Sequence, residues 1–513
     1  MFVNSSLLIF RCTDTEIYFF KVQFAGVCVS VISGKREIMG KYEYQKLVDQ
    51  FSLEIKEGVL SAGTKMPSIR SLSRMQKVSK TTIITAYSQL EAIGLIESRP
   101  KSGFFVCSQK HDDYKLKHPE KSRPEIRPAL VSTSQIIVDI MEKAASFDLL
   151  PKVDQQTGNV ELRQCLSRAQ RRETETEQHY YDEPLGDLAL RQEIAARVHH
   201  SQQEISVDDL VITHGCQHSL LLALMSATEP GDIVAIESPG FYGAIQLLQA
   251  LNRKVIEMPS SPSTGIDVEA FQQAANQWNI KALIVAPNYS TPTGACMPDE
   301  AKIQLLDCCI RKQITIIEDD VYSDLYFGLN KPRSIYSLDI SGTVILCSSF
   351  SKTLSRDLRL GWILPGKFIQ KIKRLKIVTS ISVGITLQKG LAMYLEQGSY
   401  ERYIKKKRRE LELQSMQWQD AIKNHLVSVQ SCSAPKGGLT LWAELPTNID
   451  TIKLYEKAQS KGITITPGPL FSPQKLSPKN KYRNYLRLSF SEVLTPKRVE
   501  ALKSLEGLIQ RLN

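Results

Sequence analysis

The segment Cys347–Leu354 carries the residues best suited to covalent chemistry. It reads Cys-Ser-Ser-Phe-Ser-Lys-Thr-Leu, so Lys352 stands among small hydroxyl residues, and Arg359 follows seven positions later. A lysine amine can form a Schiff base with an aldehyde, while hydroxyl and guanidinium groups bind phosphate. The pattern therefore predicts a site for a phosphate-bearing aldehyde, with Lys352 as the nucleophile and Ser349 and Arg359 on the phosphate. A surface lysine near a turn is the alternative interpretation.

Four further segments place polar or aromatic residues directly after apolar runs. They are Thr213–Gln217, Glu237–Phe241, Ala286–Gly294 and Glu318–Tyr322. The apolar runs alternate with helical stretches, which is typical of a parallel sheet covered by helices on both faces. Ligands bind at the carboxyl ends of the strands in such α/β folds. We therefore expect these segments and Lys352 to meet at one edge of the sheet, where the turn at Gly215 presents N–H groups to a phosphate.

Together these motifs resemble fold-type I pyridoxal-phosphate enzymes of the aminotransferase family. The resemblance covers residues 135–513 and implies a large domain with a mainly parallel sheet and a small C-terminal α+β subdomain. It implies that Lys352 binds pyridoxal 5′-phosphate as a Schiff base and that Asp319 pairs with the pyridine nitrogen. The other implied roles are ring stacking by Phe241, a hydrogen bond from Tyr322 to the ring oxygen, phosphate binding by Cys216, Gln217, Ser349 and Arg359, phosphate binding in the neighbouring subunit by Tyr181, and capture of a substrate carboxylate by Arg487.

Three positions depart from the pattern of that family. Thr291 stands where the family usually has the asparagine that donates to the ring oxygen, which leaves Tyr322 as the donor there. Cys216 replaces a serine or alanine, so the hydroxyl donor is lost and the backbone N–H is kept. Arg356 and Asp357 replace a Pro/Gly-type pair. Asp357 is expected to face solvent, because a carboxylate that faced inward would oppose phosphate binding.

Residues 39–110 predict a compact unit of three helices followed by a hairpin. Apolar residues recur at helical spacing in Tyr44–Ile55, and Ser68 and Ser79 are predicted to cap the second and third helices. The unit has eleven lysines and arginines against six acidic residues, a charge that favours contact with DNA phosphates. A solvated helical domain is the alternative interpretation.

The motifs of this unit resemble the GntR-type winged helix-turn-helix domain. They are Gly63–Arg70, Val78–Thr82, Leu90–Ile96 and Gly103–Val106. The third helix then has the polar tip that a major-groove recognition helix needs. The residues implied to contact DNA are Arg70, Ser79, Lys80, Thr81, Thr82 and Gly103. Lys80 stands where arginine is commoner, and lysine keeps the charge but loses the two-point hydrogen bond to guanine.

Composition bounds the remaining possibilities. The 513 residues are 42% hydrophobic and 23% charged, which excludes a wholly disordered or coiled-coil chain, and the net charge of +11 favours an anionic partner. The ten cysteines form no CxxC pair, and the phosphate turn explains His214 and His218 better than a metal does, so no metal site is expected. Irregularly spaced thiols suit a reducing cytoplasm, and no apolar stretch is long enough to span a membrane.

The chain is predicted to consist of four parts. Residues 1–38 are interpreted as an extension, either native or the result of a start assigned upstream of Met39. Residues 39–110 form the DNA-binding domain. Residues 111–134, with prolines and mixed charge, form a linker, and residues 135–513 form the aminotransferase-like domain.

This pairing of domains resembles the MocR group of bacterial regulators. The resemblance implies a cytoplasmic, pyridoxal-phosphate-dependent transcription regulator that binds a double-stranded DNA operator. Its large domain would sense the cofactor, or an amine or amino acid effector that condenses with it. A head-to-tail homodimer is also implied. Two alternatives stay open: a working aminotransferase with an attached DNA-binding domain, and a DNA-binding protein whose large domain is a cofactor-free scaffold for dimerisation.

Overall fold

A computed structural model describes most of the chain in two compact units, one within residues 1–111 and the other within residues 112–513. The described residues are 23–24, 27–28, 43–56, 59–61, 63–92, 95–99, 102–106, 116–130, 148–150, 159–174, 179, 181–198, 205–473 and 480–512. The predicted extension lies outside them, apart from the backbone of two short antiparallel strands, β1 (Gln23–Phe24) and β2 (Val27–Cys28). In these ranges no helix has the length and apolar character needed to cross a membrane.

The first unit consists of three helices and a hairpin. Its elements are α1 (Glu43–Lys56), α2 (Ile69–Gln76), α3 (Lys80–Ala92), β3 (Ile96–Arg99) and β4 (Gly103–Val106). Both predicted caps are present, because the backbone N–H of Ser71 donates to Ser68 Oγ and that of Thr82 donates to Ser79 Oγ, each at 3.1 Å. The predicted inner face of α3 is fully buried and consists of Ile83, Ala86, Tyr87 and Leu90. Helical spacing of apolar residues therefore set this part of the fold.

The second unit is built around a mainly parallel sheet. Its strands are β5 (Ala129–Leu130), β6 (Val211–Thr213), β7 (Ile233–Ser238), β8 (Lys254–Ser261), β9 (Gly265–Ile266), β10 (Ile280–Val285), β11 (Thr315–Asp319), β12 (Val344–Ser349) and β13 (Gly361–Leu364). The order is β5-β8-β7-β10-β11-β12-β13-β6, with β9 paired to β8. Neighbours from β8 to β12 are parallel, and the pairs β12–β13, β13–β6 and β5–β8 are antiparallel. The predicted α/β architecture is confirmed.

Helices cover both faces of this sheet. They are α4 (Val160–Arg172), α5 (Leu188–Val198), α6 (Cys216–Ala227), α7 (Tyr242–Ala250), α8 (Val268–Gln277), α9 (Asp299–Lys312), α10 (Ile369–Ser380), α11 (Ile385–Glu396) and α12 (Ser399–His425). In β10, Leu283 and Val285 join an apolar cluster with α8 and α9. Ala282 and Ile284 join another cluster with α6, α7 and α10. Because alternate residues of one strand are buried on opposite faces, the strand reads as a continuous apolar run.

A small α+β subdomain follows, as predicted. Its antiparallel sheet has the order β14 (Ser431–Cys432), β15 (Thr440–Glu444), β17 (Tyr485–Ser489), β16 (Thr466–Pro467). Two helices pack on it, α13 (Thr451–Gln459) and α14 (Pro496–Gln510). At the start of α14, the buried guanidinium of Arg498 donates to both carboxylate oxygens of Asp148, at 3.0 and 2.8 Å.

Residues 116–130, within the predicted linker, belong to the second unit and pack on its two sheets. The backbone N–H of Ser122 donates to Ser260 O at 3.0 Å, and that of Ser260 donates to Ser122 Oγ at 2.8 Å. Strand β5 pairs with the edge strand β8, and the N–H of Cys432 donates to Lys117 O at 2.8 Å. Composition did not reveal this contact, because the unpaired backbone edge of β8 is formed only by the folded sheet. The predicted domain boundaries stay predictions.

Candidate functional site

The predicted cofactor segments meet at one edge of the large sheet. Strands β7, β10, β11 and β12 are parallel, and β6 runs in the same direction across antiparallel β13, so their carboxyl ends share that edge. Lys352 follows β12 and is half-buried there. The charged side chains that act on it are Asp319, Arg356, Arg359 and Arg487. The fold thus brings together groups that are up to 168 positions apart in the sequence, from Asp319 to Arg487.

The amine of Lys352 lies in surroundings that favour its neutral form. Burial, together with the nearby cations Arg356 and Arg487, lowers its pKa to about 7, while Asp319 acts in the opposite direction. A neutral lysine amine is a nucleophile, whereas the ammonium ion is not. Lys352 is therefore suited to attack a carbonyl carbon near neutral pH.

Asp319 ends β11 and is buried behind Lys352. Burial raises the pKa of its carboxyl group to about 6, and a hydrogen bond from Cys216 opposes that rise. Cys216 Sγ lies 3.3 Å from Asp319 Oδ1. A buried carboxylate at this position can pair with a protonated ring nitrogen, which would supply the opposite charge that it lacks.

Tyr322 and Arg487 come from two different elements and lie close enough for the charge of Arg487 to act on the Tyr322 hydroxyl. Tyr322 follows β11 and is 3% exposed, and burial raises the pKa of its hydroxyl well above the ordinary range, so it is a donor at neutral pH. Arg487 in β17 is 2% exposed and its Nη2 donates to Thr466 Oγ1 at 3.1 Å. Its guanidinium carbon lies 5.6 Å from the centroid of the Phe471 ring. A buried guanidinium of this kind suits a carboxylate ligand.

The turn between β6 and α6 forms a cradle for an anion. Gly215 has a φ of 79° and Arg359 a φ of 49°, both in the left-handed region. A Cβ at Gly215 would lie 3.3 Å from Arg359 Nη2, so glycine allows the guanidinium to lie across the turn. Arg359 Nη2 is 3.5 Å from the carbonyl oxygen of His214, and Ser349 is buried at the end of β12. The N-terminus of α6 adds N–H donors and the positive end of the helix dipole.

Phe241 and Gln217 are held beside this turn. Gln217 Nε2 donates to Gly243 O at 2.8 Å, so its side chain fixes the start of α7 and leaves its backbone for the anion. Phe241 precedes α7, is half-buried, and has its ring centroid 5.0 Å from that of Tyr242. An aromatic face in this place can stack on a planar ring.

Two buried hydroxyl groups at the site are unsatisfied within the described part of the chain. They are Thr291 Oγ1 and Ser351 Oγ. Buried polar atoms without a partner are costly, which indicates a place for a polar ligand. With the amine of Lys352, the carboxylate of Asp319 and the cradle at Gly215, they form a donor set that fits the aldehyde, ring nitrogen and phosphate of pyridoxal phosphate.

Tyr181 is the one predicted cofactor residue that the fold does not bring to this cluster. Its side chain is 78% exposed. The role implied for it is a contact with the neighbouring subunit's phosphate, which a single chain does not contain. Asp357 is exposed, as expected from the sequence.

The candidate DNA-binding residues lie on α2, α3 and the hairpin. Arg70, Lys80, Thr81 and Gly103 are exposed, and Thr82 is half-buried. Ser79 Oγ lies 2.7 Å from Thr81 Oγ1 and 2.8 Å from Thr82 Oγ1, so the three hydroxyls form one cluster at the tip of α3. Gly103 has a φ of 103°, which permits the tight turn of the wing.

Comparison with known families separates the same two parts. A model described as bacterial regulatory proteins, gntR family, matches residues 43–106. A model described as aminotransferase class I and II matches residues 152–504. The chain belongs to the aminotransferase class I and II family. It carries a gntR-family DNA-binding domain ahead of that part, so the predicted MocR-type pairing is confirmed.

Relatives share this organisation along their whole length. The HTH-type transcriptional regulator YjiR of Escherichia coli K12 is 36% identical over 475 residues, which cover 91% of this chain and 99% of YjiR. The HTH-type transcriptional regulator YdcR of the same organism is 32% identical over 474 residues, with the same two shares.

Solved structures show the same aminotransferase fold. The kynurenine aminotransferase of Pyrococcus horikoshii has a TM-score of 0.65 at 25% identity. LysN, the α-aminoadipate aminotransferase of Thermus thermophilus, complexed with N-(5′-phosphopyridoxyl)-L-leucine, has a TM-score of 0.64 at 24% identity. Each comparison covers 74% of this chain and 95% of the other. Pyridoxal phosphate is thus the cofactor of the family to which this aminotransferase-like unit belongs.

Two residues near the sites were not assigned a role from the sequence. Arg356 departs from the family pattern, and its charge is the strongest cationic influence on Lys352. Lys65 is exposed beside the wing, with its Cε 3.6 Å from a Cβ built at Gly103 and its Nζ 5.9 Å from the Phe105 ring centroid. Its place in the Gly63–Arg70 motif was the available signal. Lys65 adds a cation to the predicted DNA surface.

Proposed function

We propose that this chain is a transcription regulator whose aminotransferase-like unit binds pyridoxal phosphate on Lys352 and senses the cofactor, or an amine or amino acid that reacts with it. The observation that supports this most is the neutral-favouring setting of Lys352 beside Asp319 and Arg359, in a chain that also carries a gntR-family domain. The test is the absorption spectrum of the purified protein, first alone, then with pyridoxal phosphate, then with candidate amines. An absence of any protein-bound cofactor band would contradict the proposal.

Each residue of the site has a distinct task in this proposal. When bound, pyridoxal phosphate supplies an aldehyde and an electron-accepting ring. Lys352 would hold the aldehyde carbon through its amine, and Asp319 would hold a proton on the ring nitrogen. The remaining groups position the cofactor: Tyr322 and Thr291 at the ring oxygen, Phe241 on the ring face, and Ser349, Arg359 and the backbone of Cys216 and Gln217 at the phosphate.

The reactivity of Lys352 is predicted to depend on a nearby arginine. Borohydride trapping of pyridoxal phosphate at Lys352 should increase through about pH 7 and level off above it, because the amine becomes neutral there. In Arg356→Gln, one cation that disfavours the ammonium ion is removed, so the midpoint should move to higher pH. The measurement is the initial trapping rate over a pH series.

Asp357→Asn is the matched control for that series. It alters one charge at the next position, on an exposed side chain that is not among the main causes of the pKa shift of Lys352. Its profile should follow that of the wild type. A midpoint that stays unchanged in Arg356→Gln would show that Arg356 does not lower the pKa of Lys352.

We further propose that α3 enters the major groove of an operator and that Lys80 contributes mainly charge. Lys80 is exposed in the first turn of α3, whereas Ile83 and Tyr87 further along the helix are buried. Lys80→Ala should weaken binding to operator and random DNA alike and lower the salt slope by about one unit. Selective loss on the operator, of about 1–3 kcal/mol, would instead show a base contact. The measurement is binding to both DNAs over a salt series, with Lys46→Ala as the control on α1.

We infer that residues 116–124 carry the signal between the cofactor site and the DNA-binding unit. Ser122 Oγ donates to Ser238 O, and Ser238 Oγ lies 2.7 Å from Tyr482 Oη. Ser238 ends β7, and Phe241, the proposed stacking residue, follows three positions later. The segment that leads toward the DNA-binding unit is therefore hydrogen-bonded to the end of β7, next to the loop that is proposed to contact the cofactor.

This coupling predicts a change in hydrogen exchange. Adding pyridoxal phosphate should slow amide exchange at Ser122 and Ser260 in the wild type. In Ser122→Ala the two hydrogen bonds of the side chain, to Ser238 O and from the Ser260 N–H, are lost. The cofactor should still bind while the slowing disappears. Ser263→Ala, in the exposed turn after β8, should behave like the wild type. If the exchange rates of these amides in the wild type are the same with and without the cofactor, the inference is contradicted.

A working aminotransferase is the second candidate function. It is favoured by the buried guanidinium of Arg487, which suits the carboxylate of an amino acid substrate. Steady conversion of an amino acid and a keto acid by the purified protein would establish it. The third candidate, a cofactor-free scaffold, is favoured by Thr291 in place of asparagine, and an unchanged spectrum on cofactor addition would support it. For each candidate we propose the head-to-tail homodimer, with the exposed Tyr181 reaching the neighbouring site.

A further inference from the structure

The side chain of Cys216 contacts the carboxylate that is proposed to pair with the cofactor ring. Cys216 is the first residue of α6, and its Sγ lies 3.3 Å from Oδ1 of Asp319, the last residue of β11. Sequence reasoning had given Cys216 only a backbone role. The distance from the sulfur to the carboxylate oxygen is within hydrogen-bonding range. The thiol and the carboxylate belong to different elements of the fold.

The proton in this pair belongs to the sulfur. Burial raises the pKa of the Cys216 thiol well above its ordinary value, and the negative charge of Asp319 raises it further. The thiol is thus an S–H group at neutral pH, and a carboxylate can only accept. The other titratable groups that face Asp319 are Glu237 from β7, Asp320 and Tyr322 after β11, Cys347 from β12, and Lys352 after β12.

We propose that Cys216 is a positioning residue for the cofactor: its S–H group holds Asp319 ionised and oriented toward the ring nitrogen. The effect on cofactor binding rests on the proposed function, which is that the chain binds pyridoxal phosphate. The effect on the ionisation of Asp319 rests only on the Cys216–Asp319 contact. Burial, and beside it the carboxyl groups of Asp320 and Glu237, favour a protonated Asp319. The thiol is the donor that opposes them from the side of α6, and Lys352 opposes them from the other side.

The contact itself is tested without cofactor by the infrared S–H stretching band. The difference spectrum between wild type and Cys216→Ala isolates the band of this thiol. A hydrogen bond to a carboxylate should place it at lower frequency than the band of Cys308, a buried thiol on α9 isolated in the same way with Cys308→Ala. As the pH falls through the range in which Asp319 is protonated, about pH 6, the Cys216 band should move toward that of Cys308. A Cys216 band that matches the Cys308 band at every pH overturns the proposal.

The consequence is tested by pyridoxal phosphate binding over a pH series. Cys216→Ala should weaken binding about fivefold at neutral pH, which corresponds to about 1 kcal/mol for one hydrogen bond. It should also move the acid limb of the profile to higher pH, because Asp319 stays protonated longer. Cys216→Ser should restore both, since a hydroxyl is also a donor, and Cys308→Ala should change neither.

The outcomes separate this inference from the proposed function. Equal affinity and an equal acid limb in Cys216→Ala and wild type overturn the positioning role. A uniform loss in both variants without a shift of the acid limb also overturns it, because packing alone would then explain the effect. If the wild type binds no pyridoxal phosphate, the proposed function fails, while the infrared bands still decide whether the thiol holds Asp319.

Discussion

Replacing Lys352 with alanine is expected to abolish the covalent, borohydride-reducible attachment of pyridoxal phosphate. The side chain supplies the only proposed amine at the carboxyl edge of the sheet, and its neutral form is favoured by burial and by Arg356. Without it, the aldehyde keeps its oxygen and borohydride leaves no label on the protein. The measurement is mass analysis of peptides after reduction, which should show the modification in the Lys352 peptide of the wild type and none in the variant.

Lys376→Ala is the matched control for this experiment. Lys376, on α10, is a second buried lysine, and burial lowers its pKa to about 8. Its Nζ, however, donates to Pro184 O, at 3.1 Å. The variant should therefore be labelled at Lys352 as fully as the wild type. Label found on Lys376 at wild-type yield in Lys352→Ala would show that the nucleophile was misassigned.

The sequence pattern predicted the fold wherever a residue's role is local. The inner face of α3 and the caps Ser68 and Ser79 follow from spacing within one helix, and the structure confirms them. The continuous apolar runs similarly predicted strands such as β10 with both faces buried. In these cases the residues that determine the element and the element itself lie in the same short stretch of chain.

The sequence could not show contacts between elements far apart in the chain. The Cys216–Asp319 contact joins residues 103 positions apart, and its donor is a thiol that the family pattern gave no reason to expect. The fastening of Ser122 behind β7 depends on a sheet edge that exists only once β8 is paired. Each of these is a property of the assembled sheet edge and not of a motif.

The second large effect is expected at Arg359. In Arg359→Ala, pyridoxal phosphate should bind about 100-fold more weakly, because its phosphate loses a charge-assisted two-point contact worth about 3 kcal/mol. Arg359→Lys should lie between the variant and the wild type, since lysine keeps the charge but not the fork. The measurement is equilibrium binding of the cofactor, with the exposed Arg374→Ala of α10 as the control.

Pyridoxal, which lacks the phosphate, decides what Arg359 contacts. Its trapping at Lys352 should be unchanged by Arg359→Ala, because the lost contact has no counterpart in that molecule. A second variant, Gly215→Ala, tests the same contact. Gly215 has a φ of 79°, and a Cβ there would lie 3.3 Å from Arg359 Nη2. The alanine should therefore displace the guanidinium and reproduce the phosphate-specific loss. Equal weakening of pyridoxal and pyridoxal phosphate in both variants would mean that this turn shapes the ring pocket and does not hold the phosphate.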